Sequence, residues 1–172
     1  ILAVNKDSLE RVLVKNPMIK SAQVYYSLDG YIHVNIQQRE PVLRVLTGEG
    51  YYVDRDGRVM PLSSKFTSRV VVATGDINKK FACEKLGPFA MKLKNEPFWD
   101  AYIEQLVVRS NEDVVMIPKV GDFRIVLGKV DDCDARLEKL ILFLKDGITK
   151  KGWNRYKEIN LKLDNQVVCV RK

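Results

Sequence analysis

The stretch Lys157-Glu158-Ile159-Asn160-Leu161-Lys162-Leu163-Asp164-Asn165-Gln166-Val167-Val168-Cys169-Val170-Arg171 decides how this chain is read. Ile159, Leu161 and Leu163 alternate with Glu158, Asn160 and Lys162. A period of two buries one face of a strand and wets the other. Asp164 and Asn165 both tolerate the positive φ of a tight turn. Gln166 to Val170 then returns as a second strand. A hairpin in this final position is expected to leave its last strand at a sheet edge, where free backbone groups can pair with another chain. From the residues alone, a hairpin that merely completes a sheet is the favoured reading.

Working outward, 172 residues suffice for one domain or two small ones, and 46% apolar residues suffice for a core. No apolar run approaches the roughly 20 residues of a membrane-spanning helix, and no signal peptide is legible. The chain opens on Ile1-Leu2-Ala3 without Met, so it is expected to be a piece of a longer protein. The net charge is +7, from 29 basic and 22 acidic residues. The basic residues are scattered, with small groups at Lys79-Lys80, Lys92/Lys94 and Lys150 to Arg155. None is interleaved with aromatics as in RNA-stacking strands, so nucleic acid is not an expected partner. Cys83, Cys133 and Cys169 are widely spaced and form no CxxC. Zinc and thioredoxin chemistry therefore lack support, and each cysteine is expected to be a small buried residue.

Along the chain, Ser8 is expected to cap a helix whose stripe is Leu9, Val12 and Leu13, ending before Asn16-Pro17. Ala22, Val24, Tyr26 and Leu28 alternate, Asp29-Gly30 makes a turn, and Ile32, Val34 and Ile36 return: a β-hairpin. Beyond Pro41, strands are expected at Val42 to Leu46, Tyr51 to Asp54, Arg58 to Met60 and Arg69 to Ala73, the last buried on both faces. A helix over about Asn78 to Leu93 must kink or split at Gly87-Pro88. Phe98-Trp99 leads into a strand from Tyr102 to Val108. Strands at Val114 to Ile117 and Phe123 to Leu127 follow. The last helix carries Leu137, Leu140, Ile141 and Leu144 on one stripe, with acid at its N-terminus. The order lacks long strand–helix alternation, which disfavours a doubly wound parallel sheet. The fold class is α+β: a small lobe of helix plus hairpin over residues 1–41, then a mostly antiparallel β domain with two flanking helices over 42–172.

Little in the sequence points to catalysis. His33 is the single histidine and lies mid-strand on the polar face. No GxSxG surrounds a serine. Asp54-Arg55-Asp56-Gly57 resembles the start of a calcium loop but lacks the remaining ligands, and its flanks are strands, so it reads as a hairpin turn. Asp131, Asp132 and Asp134 read as helix capping rather than a metal cluster. Gly48-Glu49-Gly50 lacks the spacing of a phosphate loop. No catalytic residue, cofactor or metal is assigned; a hydrolase with an unrecognised site is the third-ranked alternative.

Three segments, Asn16-Pro17-Met18-Ile19-Lys20-Ser21-Ala22-Gln23-Val24, Gly30-Tyr31-Ile32-His33-Val34 and Gln38-Arg39-Glu40-Pro41-Val42, together resemble the end of a POTRA domain. Gly50 to Leu62, with its Asp54-Arg55-Asp56-Gly57 turn, resembles the opening of the β domain of the FtsQ/DivIB cell-division family. Phe98-Trp99, Ile103 to Leu106, Ile125 to Gly128 and Gly152 to Tyr156 through Val168 are similar to that family in its Bacteroidetes form. The resemblance implies a single-pass inner-membrane protein whose periplasmic part is a POTRA domain and a β domain. It also implies a non-catalytic divisome scaffold that binds FtsB- and FtsL-like partners, other divisome components being possible. Through them it supports septal peptidoglycan synthesis. POTRA domains open with a further strand and helix, so the lobe read here is expected to be only the latter part of one. A POTRA-containing protein of outer-membrane assembly or secretion is the alternative.

In the family the FtsB-like partner adds a strand to the final edge. The resemblance carries this onto Lys162, Leu163, Gln166, Val168, Val170 and Arg171, with Leu142 of the preceding helix as a further contact. Lys162 matches a basic position able to pair with a partner carboxylate. Leu163 stands where other members have a docking tyrosine, and Arg171 lies near a position that is tryptophan in some relatives. The aromatic anchors are thus missing. A proline at Val168 is expected to abolish strand addition while leaving the fold intact.

Overall fold

The alternating segments pair into one large sheet and one small one. The computed structural model describes residues 5–63, 67–148, 155–163 and 166–172. The small lobe holds α1 (Lys6–Val14), β1 (Ile19–Tyr26) and β2 (Ile32–Gln38). The strands pair antiparallel, with Val24 opposite Val34. The large sheet has nine strands in the order β11-β10-β9-β8-β7-β6-β3-β4-β5. In chain order these are β3 (Pro41–Val45), β4 (Tyr51–Asp54), β5 (Val59–Met60), β6 (Val71–Gly75), β7 (Ile103–Arg109), β8 (Asp113–Pro118), β9 (Arg124–Gly128), β10 (Tyr156–Asn160) and β11 (Val168–Arg171). Five of its pairings are antiparallel. Three are parallel: β3–β6, β6–β7 and β9–β10. The expected α+β class, with a mostly antiparallel sheet, is what the chain forms.

Parallel neighbours need a crossover connection. Between β6 and β7 run α2 (Lys79–Phe81), α3 (Gly87–Asn95) and α4 (Pro97–Tyr102); between β9 and β10 runs α5 (Asp134–Leu142). The β3–β6 connection runs through β4 and β5, whereas both helical crossovers step toward β11 between strands of the same direction. Right-handedness then puts both on one face of the sheet. They meet there: Lys85 Nζ lies 2.5 Å from Asp131 Oδ1, and Lys92 Nζ lies 2.6 Å from Asp134 Oδ1. Under them Leu43, Leu86, Leu106, Met116, Ile125, Leu127, Leu140 and Ile159 are fully buried in one continuous core.

Several elements depart from expectation for physical reasons. Asn5 caps α1, its side chain accepting from the Ser8 N–H at 3.1 Å, so the expected cap at Ser8 lies three residues late. β1 stops at Tyr26, and the hairpin turns through Ser27 to Gly30 rather than through two residues. The Gly30 N–H donates to Ser27 O and Gly30 takes φ +86°, a turn closed by a left-handed glycine. The long helix changes type at Gly87-Pro88, where α3 starts with the proline in its first turn. The π-helical segment Ala82–Leu86 joins α2 to α3, and the Gly87 N–H reaches back to Ala82 O, widening the turn that a proline would otherwise break. Tyr102 belongs to α4, because Pro97 pre-sets a helical first turn, so β7 begins at Ile103. β6 is interior in the sheet but Val71 and Val72 are only partly buried. At α5 the N-cap is Cys133 with no side-chain cap bond; Asp131 and Asp134 instead pair with lysines of the other crossover.

Candidate functional site

β10 carries the alternation that opened the reading, and its two neighbours explain it. On one side it runs parallel to β9, with Ile159 opposite Ile125; on the other β11 runs antiparallel, with Ile159 opposite Cys169. The Leu161 N–H donates to Val126 O at 2.9 Å. Ile159 and Leu161 are fully buried in the core beneath the helices. Leu163 breaks the pattern. It lies beyond β10, is 48% exposed, and its carbonyl accepts from Lys139 Nζ of α5 at 2.8 Å. The Asp164-Asn165 turn lies outside the described residues.

β11 ends the strand order, so among the described residues one of its sides is unpaired. Its register fixes which backbone groups are free. The N–H of Lys172 donates to Arg155 O at 3.2 Å, and Tyr156 pairs with Arg171. In an antiparallel strand the N–H and C=O of one residue point the same way and alternate along the chain. Val168 and Val170 therefore turn their backbones to β10, and Cys169 and Arg171 turn theirs outward. A register shift between Tyr156 and Glu158 places the extra residue on β10, which leaves the alternation of β11 intact. The outcome corrects the proline expectation: Val168 faces Asn160, so proline there removes an internal ladder bond and damages the fold.

The side chains divide the other way. Cys169 packs against the core, while Val168 and Val170 are 39% and 47% exposed on the opposite face. Leu142 is exposed on α5, which packs on the core face. Leu142 is thus exposed on the helical side of the sheet, and the two valines are exposed on the opposite face. Gln166 precedes β11 and is exposed. Lys162 is engaged within the molecule: its Nζ lies 3.0 Å from Asp113 Oδ1 on β8. Both ends of that pair retain solvent contact, so its worth is at most about 1 kcal/mol. Arg171 is exposed and has no ion pair among the described residues.

Sequence reasoning missed the groups that anchor this edge. Lys172 Nζ pairs with Asp122 Oδ2 at 2.7 Å, and that hydrogen bond holds the Asp122 carboxyl below its usual range. Arg124 Nε pairs with Glu158 Oε2 at 2.8 Å across β9 and β10. These partners are far apart in sequence, so no local spacing announces them.

Little elsewhere is arranged for chemistry. Burial pushes the Cys83, Cys133 and Cys169 thiols up, the reverse of nucleophile activation. His33 stacks on Tyr25, centroids 5.0 Å apart at 8°, in the exposed hairpin. Among the described residues no group of three or more His, Cys, Asp or Glu is placed to hold a metal, and no helix is long and apolar enough to cross a membrane.

The family described as FtsQ/DivIB, C-terminal related, matches residues 40–170. The chain belongs to the FtsQ/DivIB family. No curated protein matches it. The match covers the whole nine-stranded sheet of this FtsQ/DivIB chain except Arg171, the last residue of β11. Membership suggests a role in cell division, in a family of non-catalytic, generally membrane-associated scaffolds that interact within the divisome.

Proposed function

We propose that this FtsQ/DivIB chain is a periplasmic, non-catalytic scaffold that FtsB- and FtsL-like partners bind by adding a strand to β11, thereby supporting septal peptidoglycan synthesis. In this reading an inner-membrane helix outside the present sequence anchors the protein. Residues 1–41 are the latter part of a POTRA domain and 42–172 the β domain. The observation that carries the proposal is the β11 edge, with the backbones of Cys169 and Arg171 outward and Val168 and Val170 exposed beside them. Main-chain bonds would supply affinity, and alternate side chains selectivity. The partner's side chains would reach Val168 and Val170 on one face and Leu142 and Leu163 on the other. Gln166, Arg171 and Lys162 would border the added strand.

The register chooses the test. Arg171→Pro removes an outward N–H and spares the β10 ladder, whereas Arg171→Ala removes only the side chain. In calorimetric titration with an FtsB-like peptide, Arg171→Pro should weaken binding at least about tenfold, one main-chain bond in a desolvated edge being worth roughly 1–2 kcal/mol. Arg171→Ala should lose much less. Equal affinity of folded Arg171→Pro and wild type would exclude strand addition here. Lys162→Glu should slow association and change its salt dependence.

A further inference from the structure

The Asp54-Arg55-Asp56-Gly57 turn resembles a calcium loop in sequence, yet its carboxylates are spent on protein groups. Asp54 is 3% exposed. Its Oδ1 accepts from the Asp56 and Arg58 N–H groups at 3.0 and 2.7 Å, which shapes the turn. Its Oδ2 lies 2.8 Å from Arg39 Nη1, and the two side chains are 2% and 10% exposed. Arg39 belongs to the small lobe: its N–H donates to Met18 O at 2.9 Å, just before β1. Two further contacts run from the same turn. Asp56 pairs with Lys20 of β1 at 2.8 Å. Arg55 pairs with Glu40 at 3.3 Å, and its N–H donates to Glu40 O at 3.1 Å. The β4–β5 turn thus grips the small lobe at Lys20, Arg39 and Glu40.

We propose that this turn is an ionic latch that fixes the orientation of the small lobe against the nine-stranded sheet. Among the described residues the lobes share no strand pairing, so the sheets themselves do not set the angle between them. The chain passes from β2 to β3 through Arg39 and Glu40 alone, and both are held by the turn. The contacts differ in kind. Arg39–Asp54 is buried, hence poorly screened by salt, whereas Lys20–Asp56 and Glu40–Arg55 are exposed and screened. The latch therefore has a salt-resistant centre with salt-sensitive arms.

The test measures the lobe-to-lobe distance by pulsed electron spin resonance. Spin labels go on Asn35→Cys in β2 and Glu49→Cys in the β3–β4 turn, in a background with the three native cysteines replaced by alanine. Asp54→Asn keeps an oxygen for the turn's N–H groups but puts an amide against Arg39. The distance distribution should be narrow in the parent, at low salt and at 1 M salt, and at least twice as wide in Asp54→Asn. If Asp54→Asn does not fold, Arg39→Met/Asp54→Asn leaves neither buried charge uncompensated and should broaden the distribution equally. A distribution of unchanged width in either folded variant overturns the latch, as does a parent that broadens fully at 1 M salt.

Discussion

Tyr102 shows how a single buried group ties this fold to pH. It closes α4 at 9% exposure, and burial pushes its hydroxyl up to about 12 from an ordinary 10.0. The folded state therefore holds this proton more tightly than the unfolded chain does. Its contribution to stability is intact below pH 10 and is lost as pH rises toward about 12. The three thiols act in the same sense, since burial raises them as well. Melting temperature should thus fall along an alkaline limb, and Tyr102→Phe should flatten the part between pH 10 and about 12. Among the thiols, Cys133 is 1% exposed and the others partly exposed. Alkylation at pH 8 should label Cys83 and Cys169 slowly and Cys133 only as the protein unfolds. Lys162 teaches the opposite lesson: its basic character was legible in the sequence, but its pairing with Asp113 depends on β8 and β10 flanking β9.

At the scale of elements, the joins decide more than the strands. Gly75 ends β6 with φ +104°, and a Cβ there would overlap the Val108 carbonyl oxygen of β7. That turn lets the Asp76 N–H donate to the same oxygen at 2.9 Å. Gly75→Ala should cost at least about 2 kcal/mol from backbone strain and clash together, read as a lower denaturant midpoint. β11 makes the same point in reverse. Val168→Pro should destabilise by roughly 1–3 kcal/mol, for a lost and unsatisfied ladder bond, while Arg171→Pro leaves stability nearly unchanged. Short apolar strands bounded by turn residues, such as β4, β8 and β9, were legible in the sequence to within a residue or two. α4 was not, because Phe98-Trp99-Asp100-Ala101-Tyr102 carries no helical stripe long enough to register, and only Pro97 hinted at a start.

Across the whole molecule, protection should follow sheet position. Leu106, Met116 and Ile125, on β7, β8 and β9, are fully buried under both crossovers. β2 is exposed along its entire length and β11 is an edge. Hydrogen exchange followed by mass spectrometry should therefore be slowest in peptides from β7 to β9 and fastest in β2 and β11. Equal protection of β11 and β8 in the isolated protein would contradict an open edge. Binding of a partner strand should selectively slow exchange in β11, at Cys169 and Arg171 above all.

The sequence by itself determined the α+β class, most of the strand positions and the two strands that pair at its end. All of these rest on period, turn residues and composition, which are local. Tertiary structure alone decided that β10 lies parallel to β9, that both crossovers share one face, and that the Asp54 turn grips the other lobe. It also decided the orientation of β11. Period two tells which side chains face the core, but both edges of a strand look alike until a neighbour takes one. Pairing with β10 consumed the backbones of Val168 and Val170, and so left Cys169 and Arg171 to meet whatever comes next.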